Sequence, residues 1–212
     1  MPCPLCGKTH PWLYAHLSKG DYFLCGDCRL VWLDPRHWLS PREEGAYYTT
    51  HCNDPEDARY RAFLSRLSEP MQSRLSAGAR GLDYGCGPGP TLSRMLEEKG
   101  FPTRDYDPVF FPDKGILAQE YDFITCSETA EHFHAPGAEF EHLNALLRPG
   151  GWLGVMTEFR PADAHFLRWH YRRDPTHICF YSPDTMAWIA RHHGWRLEIP
   201  VRNVALFHKG QV

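Results

Sequence analysis

A glycine-rich run between a predicted strand and a predicted helix constrains this chain more than any other feature. Residues 82–92 read Leu-Asp-Tyr-Gly-Cys-Gly-Pro-Gly-Pro-Thr-Leu. Three glycines at alternate positions allow a tight bend and close approach of a ligand, where a Cβ atom would collide. Pro88 and Pro90 delay the next helix until about residue 90. Because ligands bind at the carboxyl ends of strands in open α/β sheets, the run predicts a nucleotide-cofactor loop beside Asp83.

The spacing of these glycines separates two cofactor classes. A dinucleotide-binding fingerprint that starts at Gly85 and Gly87 requires a third glycine at position 90, where this chain has Pro90. The pattern Asp-x-Gly-x-Gly-x-Gly resembles instead the first motif of class I S-adenosylmethionine-dependent methyltransferases. The resemblance implies that the amino-acid portion of the cofactor contacts Asp83, Gly85, Cys86, Gly87 and Gly89. An ordinary strand-to-helix turn is the alternative.

Strands and helices alternate from residue 80 onwards. The sequence predicts strands at 80–84, 102–106, 121–126 and 152–157, with helices at 91–99 and 138–147, the second closed by Pro149-Gly150-Gly151. This alternation predicts the α/β class, with a doubly wound, mostly parallel sheet. A further helix over 183–193 ends at Gly194. Strands at 195–199 and 204–208 follow, and their short connection permits only an antiparallel hairpin, which is similar to the end of the Rossmann-like methyltransferase sheet.

Asp107 follows the second strand of this sheet and precedes Pro108. A carboxylate about twenty residues beyond the glycines is placed to accept hydrogen bonds from both hydroxyls of a ribose. The resemblance to methyltransferases puts an acidic residue at this point, so Asp107 and Pro108 are predicted cofactor contacts, with a turn-forming aspartate as the alternative. About 13 residues separate Asp107 from Tyr121. They are too few for an ordinary helix and strand, which predicts an abbreviated adenine pocket.

An acidic motif with a histidine follows the strand at 121–126. Glu128, Glu131 and His132 are spaced i, i+3 and i+4, so a helical turn would place them on one face. Two carboxylates and an imidazole there require solvation, protonation or a bound cation. A helix cap with a hydrogen-bonded histidine is the structural alternative.

This segment resembles the Cys-x-Glu-x-x-Glu-His motif of the ubiquinone-biosynthesis O-methyltransferase group, and the resemblance extends over about residues 78–212. It implies that Glu128, Glu131 and His132 lie beside the substrate and hold a divalent cation, or that His132 acts alone as a general base. A base or a metal can each supply the deprotonation that a methyl acceptor needs. The further cofactor contacts that the resemblance implies are Cys126 and Ser127.

Aromatic and basic residues interleave over residues 168–182, between the fourth strand and the late helix, where a cover of an active site would be inserted. This composition suits a planar anionic acceptor or an unstacked base. Tyr171 and His177 are the predicted substrate contacts, and a solvated loop is the alternative. Earlier in the chain, the polar and aromatic residues that could cover a cofactor or pack a linker are Tyr47, Tyr48, His51 and Asn53.

Four cysteines near the N-terminus form two pairs, Cys3-x-x-Cys6 and Cys25-x-x-Cys28, with 18 residues between the pairs. This spacing predicts a four-cysteine zinc site. Two short strands at 12–17 and 21–24 can bring the pairs together as a hairpin. Four thiolates leave no open coordination position, so the site is predicted to be structural and to supply folding energy that a small ribbon lacks. Small buried residues are predicted at Cys52, Cys86, Cys126 and Cys179.

The segment between the ribbon and the glycine loop predicts one amphipathic helix over 54–75. Asn53 or Asp54 would cap it, and Pro70 would end or kink it. The predicted organisation is therefore a zinc ribbon over residues 1–38, a helical linker over 39–78 and a cofactor-binding domain over 79–212.

Charge and hydropathy limit the partners of this 212-residue chain. Its net charge of −3 gives no electrostatic reason to expect nucleic acid. No apolar run approaches the roughly 18 residues of a membrane span, and no signal peptide is recognised, so a cytoplasmic location is expected. The resemblances imply S-adenosylmethionine-dependent methyl transfer to a small molecule, at oxygen in preference to carbon. An RNA base methyltransferase and a non-catalytic cofactor-binding scaffold are the alternatives.

Overall fold

The computed structural model describes residues 1–50 and 53–211, which form two β-sheets and the helices around them. In chain order the strands are β1 (Trp12–Leu17), β2 (Gly20–Leu24), β3 (Val31–Leu33), β4 (Gly81–Tyr84), β5 (Thr103–Tyr106), β6 (Tyr121–Ser127), β7 (Leu147–Met156), β8 (Cys179–Phe180), β9 (Arg196–Glu198) and β10 (Val204–His208). The α-helices are α1 (Pro41–Tyr48), α2 (Ala58–Gln72), α3 (Thr91–Glu97), α4 (Pro136–Leu146), α5 (Asp163–Phe166) and α6 (Pro183–His193).

The larger sheet has the strand order β5-β4-β6-β7-β10-β9. Strands β5, β4, β6 and β7 are parallel, whereas β10 is antiparallel to both of its neighbours. Leu82, Ile124 and Leu153 on the central strands are fully buried, as expected for parallel strands that are covered on both faces. The prediction of a doubly wound, mostly parallel sheet that ends in an antiparallel hairpin is confirmed.

Helices cover both faces of this sheet. Leu67 of α2 and Leu96 of α3 belong to one hydrophobic core, which includes Phe123 of β6. Phe140 of α4 and Met186 of α6 belong to a second core on the other face of the sheet. The strand residues of this core alternate along the chain with those of the first core. Successive strand residues point to opposite faces, so each strand contributes to both cores.

The smaller sheet joins the N-terminal residues to the rest of the chain. Its order is β1-β2-β3-β8, and all its pairs are antiparallel. The predicted hairpin of β1 and β2 is present, but β8 comes from a segment far along the chain, with Trp32 opposite Cys179. Trp32, Tyr22 and Phe180 are almost completely buried in the same core as α4 and α6. The division of the chain at residue 38 stays a prediction.

Three local predictions differ from the structure. The cap of α2 is Asp57, whose side chain accepts a hydrogen bond from the Arg59 amide, and Pro70 lies inside this helix, where only Met71 and Gln72 follow it. Pro70 has no amide hydrogen and cannot donate to the Arg66 carbonyl oxygen, and the helix ends two residues later. The Pro-Gly-Gly sequence does not close α4, because β7 begins at Leu147 directly after that helix.

The sequence analysis missed α1, although its signals are present. Ser40 and Glu43 form a capping box, and Pro41 occupies the first helical position. The abbreviated region after Asp107 is confirmed, because only a 3-10 helix, Lys114–Ala118, lies between β5 and β6. Among the described residues no helix combines the length and apolar character that crossing a membrane would require.

Candidate functional site

A cavity of about 720 Å³ lies at the carboxyl ends of β4, β5 and β6. The predicted cofactor residues that line it are Asp83, Gly85, Cys86, Gly87, Asp107, Pro108 and Ser127. Two others do not line it. Cys126 is fully buried in the core, and Gly89 packs against the Asn53 backbone, where a Cβ atom would lie 1.9 Å from the carbonyl oxygen.

The three glycines of the loop serve different needs. At Gly85, where φ is +80°, a Cβ atom would lie 2.2 Å from the Thr129 side chain. Gly87 has a φ of +68° and lines the cavity. A Cβ atom added there would lie 3.1 Å from the side-chain amide nitrogen of Asn53, with no other atom of a non-adjacent described residue within 4 Å. Contacts within the protein therefore exclude side chains at Gly85 and Gly89. Gly87 keeps the cavity wall open for a ligand.

Asp107 fixes a turn, as the alternative predicted, and also lines the cavity. Its Oδ1 atom accepts hydrogen bonds from the Val109 and Phe110 amides at 2.8 and 3.0 Å, which fixes a turn. Its Oδ2 atom accepts one from the Gly87 amide at 3.1 Å, which ties the turn to the glycine loop. A carboxylate has about four lone-pair sites. Since three amides occupy three of these sites, about one acceptor site remains on a residue that lines the cavity.

Asp83 is a buried carboxyl group at the end of β4. It is 3 % exposed and accepts a hydrogen bond from the Thr125 hydroxyl at 2.8 Å. Burial raises the pKa of Asp83 to about 7, and the hydrogen bond from Thr125 offsets only part of that effect. Ionisation of the buried Asp83 carboxyl costs free energy, and a ligand that brings a positive charge or a hydrogen-bond donor would offset this cost.

Asp83→Asn is expected to stabilise the ligand-free protein at high pH. Because folding raises this pKa from 3.8 to about 7, the wild-type carboxyl contributes stability below about pH 4 and loses it as pH rises through about 7. The variant should then exceed the wild type in free energy of unfolding by up to roughly 4 kcal/mol above about pH 8, and match it near about pH 4. Urea unfolding at both pH values measures this difference.

Asp122→Asn is the control for this pH dependence. At Asp122, burial is outweighed by hydrogen bonds from the Arg80 amide and the Arg148 guanidinium, so its pKa lies below the ordinary value. Neutralising it should therefore lower stability above about pH 4, the opposite sign. A loss of stability in Asp83→Asn above pH 7 would contradict the assignment of a costly buried charge.

Glu131 is a buried carboxylate between two histidines. Its side chain is fully buried, and its Oε1 atom lies 4.0 Å from Nε2 of His132 and 4.0 Å from Nε2 of His177. Oε1 also accepts a hydrogen bond from the Tyr171 hydroxyl, whereas Oε2 has no hydrogen-bond partner among the described residues. The rings of His132 and His177 meet edge to face with centroids 4.8 Å apart.

The hydrogen bonds of the two histidines define which ring nitrogens carry lone pairs. His132 Nδ1 lies 3.1 Å from the Thr176 carbonyl oxygen, and His177 Nδ1 lies 2.8 Å from that of Tyr171. A carbonyl only accepts, so each Nδ1 donates and each neutral ring keeps its lone pair on Nε2. Burial lowers the pKa of His177, which favours its neutral form. Lone pairs of Glu131, His132 and His177 therefore converge within 4.8 Å.

The expected face of Glu128, Glu131 and His132 does not form. Glu128 directly follows β6 and has a φ of +48°, in the left-handed region that non-glycine residues rarely adopt. A 3-10 turn over Ala130–His132 comes next. His177 takes the place of Glu128 beside the other two residues. The prediction that a helical turn aligns the three was wrong, because Glu128 has a left-handed φ and lies outside the 3-10 turn.

Glu128 and Glu131 are joined through Tyr171. The Tyr171 hydroxyl lies 3.1 Å from Glu128 Oε2 and also contacts Glu131 Oε1. One hydroxyl hydrogen cannot be donated to two carboxylates, so the arrangement requires a proton on one of them. Burial and the negative charge of Glu131 raise the pKa of Glu128 to about 9, which identifies Glu128 as the protonated group at neutral pH.

The segment 168–182 lies differently from its prediction. His177 lines the cavity. Tyr171 does not line it, but its ring packs against the His177 ring with centroids 4.1 Å apart. Among the described residues that line the cavity none is lysine or arginine. Arg172 instead donates to the carbonyl oxygens of Phe166 and Leu167. The basic residues therefore give no support to an anionic acceptor.

Helix α1 supplies wall residues that the sequence analysis missed or left open. Glu44 and Tyr48 line the cavity, and the Tyr48 ring meets the His132 ring edge to face at 5.4 Å. Tyr47 donates a hydrogen bond to Asp174 Oδ2 at 3.1 Å, and Asp174 lines the cavity as well. Asn53 is a further wall residue, whereas His51 lies outside the described residues. The capping box was the signal that could have predicted this helix, although its position beside the cavity is known only from the structure.

The four N-terminal cysteines form a compact cluster. The Sγ atoms of Cys3 and Cys28 are 3.5 Å apart, and those of Cys6 and Cys25 are 3.4 Å apart. All four sulfur atoms lie within 4.8 Å of one another, as the spacing predicted. Cys86, Cys126 and Cys179 are separate buried thiols, also as predicted, and Cys52 lies outside the described residues.

Comparison with known proteins places this site in a family. The family model described as a methyltransferase domain matches residues 55–198. The ubiquinone biosynthesis O-methyltransferase of Paraburkholderia xenovorans (strain LB400) is 34% identical over 94 residues, which are 43% of this chain and 39% of that protein. The enzyme of the same name from Actinobacillus pleuropneumoniae serotype 7 (strain AP76) is 32% identical over 106 residues, 48% of this chain and 44% of that protein. The chain thus spans less than half the length of these curated relatives.

Solved structures share the fold at low sequence identity. A Burkholderia thailandensis 1,6-didemethyltoxoflavin-N1-methyltransferase, crystallised with 1,6-didemethyltoxoflavin and S-adenosylhomocysteine, is 14% identical with a TM-score of 0.58 over 96% of this chain and 100% of that one. The magnesium protoporphyrin IX methyltransferase of Synechocystis PCC 6803, with bound SAH, is 13% identical with a TM-score of 0.53 over 80% of this chain and 95% of that one. With the family match over residues 55–198, the chain belongs to the methyltransferase domain family.

Proposed function

We propose that this protein transfers a methyl group from S-adenosylmethionine to an oxygen atom of a small-molecule acceptor. One observation carries the proposal: a single cavity joins Gly87 and Asp107 at one end to His132 and His177 at the other. The membership in the methyltransferase domain family supports it. Methyl transfer needs donor and acceptor held in line, and one continuous cavity is suited to that placement.

The first end of the cavity fits the cofactor. Gly87 presents no side chain, and Asp107 retains an acceptor site for a ribose hydroxyl. The buried carboxyl of Asp83 suits the amino-acid portion, which carries a positively charged amine. When bound, S-adenosylmethionine supplies a methyl group on a sulfonium, which an acceptor atom displaces.

The second end fits a divalent cation. Glu131, His132 and His177 would hold it, because their lone pairs converge and the buried Oε2 atom of Glu131 has no other described partner. Imidazole and carboxylate ligands suit first-row divalent metals. Such an ion would lower the pKa of an acceptor hydroxyl. In its absence the Nε2 lone pair of His132 or His177 is placed to take the proton directly.

The cysteine cluster fits a structural zinc ion. Four thiolates complete a tetrahedral shell and leave no position for a substrate. The distances between the sulfur atoms need only a small adjustment, because a tetrahedral ion with Zn–S bonds of about 2.3 Å separates its ligands by roughly 3.8 Å. Free thiols that bind a metal fit a reducing compartment, so a cytoplasmic location is proposed.

Methyl transfer is expected to depend on His132. His132→Ala should lower turnover at least ~100-fold, because it removes both a ligand and a base from the acceptor end. The assay follows a labelled methyl group from S-adenosylmethionine into the small molecules of a cell extract. Each variant is assayed with and without a chelator, at a concentration that leaves the cysteine-bound metal in place.

His170→Ala is the matched control, since His170 is an exposed histidine that does not line the cavity. Its turnover should stay within ~3-fold of the wild type, because surface substitutions have small effects. Unchanged turnover in His132→Ala, with and without the chelator, would exclude the proposed role of the acceptor end. Absence of any labelled product with the wild type would refute methyl transfer to a small molecule.

A further inference from the structure

The cysteine ribbon contacts the acceptor end of the cavity through the turn between β1 and β2. Lys19 in this turn is largely buried, and its Nζ atom donates to the carbonyl oxygens of Asp174 and His177 at 2.6 and 2.8 Å. Asp174 and His177 both line the cavity, whereas Lys19 does not. A single ammonium group of the ribbon therefore bridges the two ends of the segment that carries both wall residues.

Lys19 is partly withdrawn from water at this contact. Burial lowers the pKa of Lys19 to about 8, although the negative charge of Asp174 partly offsets the effect. A lysine that gives up hydration needs its donors satisfied inside the protein. The two carbonyl oxygens satisfy two of its three donors, and they hold the segment 174–177 at a fixed distance from the ribbon.

A second connection runs from β3 to the backbone of Glu131. The Leu33 amide donates to the Ile178 carbonyl oxygen, and the Ile178 amide donates to the Glu131 carbonyl oxygen, each at 2.9 Å. Ile178 is thus bonded on one side to the ribbon sheet and on the other to the turn that carries Glu131 and His132. Lys19 and Leu33 therefore hold the backbone on both sides of His177.

We infer that the cysteine ribbon is a structural component of the acceptor end, in which Lys19 is a positioning residue that holds His177 against Glu131 and His132. This inference rests on the proposed function, because it concerns the acceptor end of the same cavity. A metal site depends on the groups that orient its ligands, and loss of one such group typically costs 10- to 100-fold in affinity. Lys19 acts on the ligand geometry through backbone carbonyls and touches neither cofactor nor acceptor.

The test uses Lys19→Met, which keeps the aliphatic stem and removes the ammonium. Lys8→Met is the matched control, because Lys8 is an exposed lysine of the same ribbon. Three quantities are measured on the full chain: the zinc content, the affinity for S-adenosylhomocysteine by calorimetry, and the affinity for Mn²⁺ by the loss of its free electron paramagnetic resonance signal. Mn²⁺ is chosen because it prefers oxygen and nitrogen ligands and does not displace zinc from thiolates. Hydrogen exchange of the amides over 174–179 reports the position of the segment directly.

Lys19→Met is expected to keep its zinc and to bind S-adenosylhomocysteine within ~3-fold of the wild type, while its Mn²⁺ affinity falls at least ~10-fold and exchange over 174–179 becomes faster. Lys19→Arg should restore part of the Mn²⁺ affinity and part of the protection from exchange, because a guanidinium also donates to carbonyls. Exchange and Mn²⁺ affinity that are unchanged in Lys19→Met would overturn the inference. If the wild type binds no Mn²⁺, the cation proposal fails and unchanged exchange still overturns the inference. If the wild-type protein binds no S-adenosylhomocysteine, the proposed function fails.

Discussion

Gly87→Val is expected to lower the affinity for S-adenosylmethionine at least ~100-fold. Gly87 has a φ of +68°, which a β-branched residue adopts only with strain, and its amide is the group that binds Asp107. A valine side chain would also enter the cavity from the wall of the glycine loop. The substitution therefore moves the amide away from Asp107 and obstructs the ligand, and calorimetry with S-adenosylmethionine or S-adenosylhomocysteine measures the loss.

Gly100→Val separates the two effects of that substitution. Gly100 also has a left-handed φ, +86°, but no atom lies within 4 Å of an added Cβ, and it does not line the cavity. Both variants should lose stability, by about 1–2 kcal/mol or more for the strained residue. Only Gly87→Val should lose the cofactor. An undiminished affinity in Gly87→Val, or an equal loss in Gly100→Val, would contradict the assignment of the glycine loop to the cofactor.

Cys3→Ser combined with Cys25→Ser is expected to remove the zinc and lower the free energy of unfolding by more than ~3 kcal/mol. The double variant breaks both pairs of the cluster, and a hydroxyl is a poor ligand compared with a thiolate. The effect should extend beyond the ribbon, because β3 pairs with β8 in one sheet and Trp32 is buried in the shared core. Elemental analysis and urea unfolding at fixed protein concentration measure the two losses.

Cys179→Ser is the control for exchanging a buried thiol for a hydroxyl. Cys179 is fully buried, and its thiol hydrogen-bonds to the Phe133 carbonyl oxygen at 3.3 Å, an interaction that a serine hydroxyl can replace. This variant should keep stoichiometric zinc and most of its stability. Purified wild-type protein without stoichiometric metal, together with unchanged stability of the double variant, would exclude a structural metal at the cysteine cluster.

Most of the fold was predictable because its signals are local. Gly81–Tyr84 and Tyr121–Ser127 are short apolar runs bounded by turns, and the helix Pro183–His193 has a serine cap and a glycine with a φ of +68° at its end. Such signals depend on a few adjacent residues, so they are readable without tertiary information. The cap of α2 was misplaced because local signals can also be ambiguous. Asn53, Asp54 and Asp57 are all good capping residues, and the structure shows that Asp57 is the cap.

The site was predictable only in part. The chain positions of Asp83, Gly87 and Asp107 follow from one loop and one strand end, and all three line the cavity. The acceptor end was not accessible in this way, because its geometry depends on residues far apart in the sequence. His177 lies 46 positions after Glu131, and no spacing rule joins them.

The sequence by itself determined the α/β sheet, the glycine loop with its two acidic partners and the four-cysteine cluster, because each arises from spacing within a short segment or from a repeated alternation. The tertiary structure decided which groups meet. It replaced Glu128 with His177 beside Glu131, joined Glu128 to Glu131 through the Tyr171 hydroxyl, and brought Lys19 of the ribbon to the segment around His177. These contacts depend on how two sheets and the loops between them pack together, and local spacing carries no information about such long-range distances.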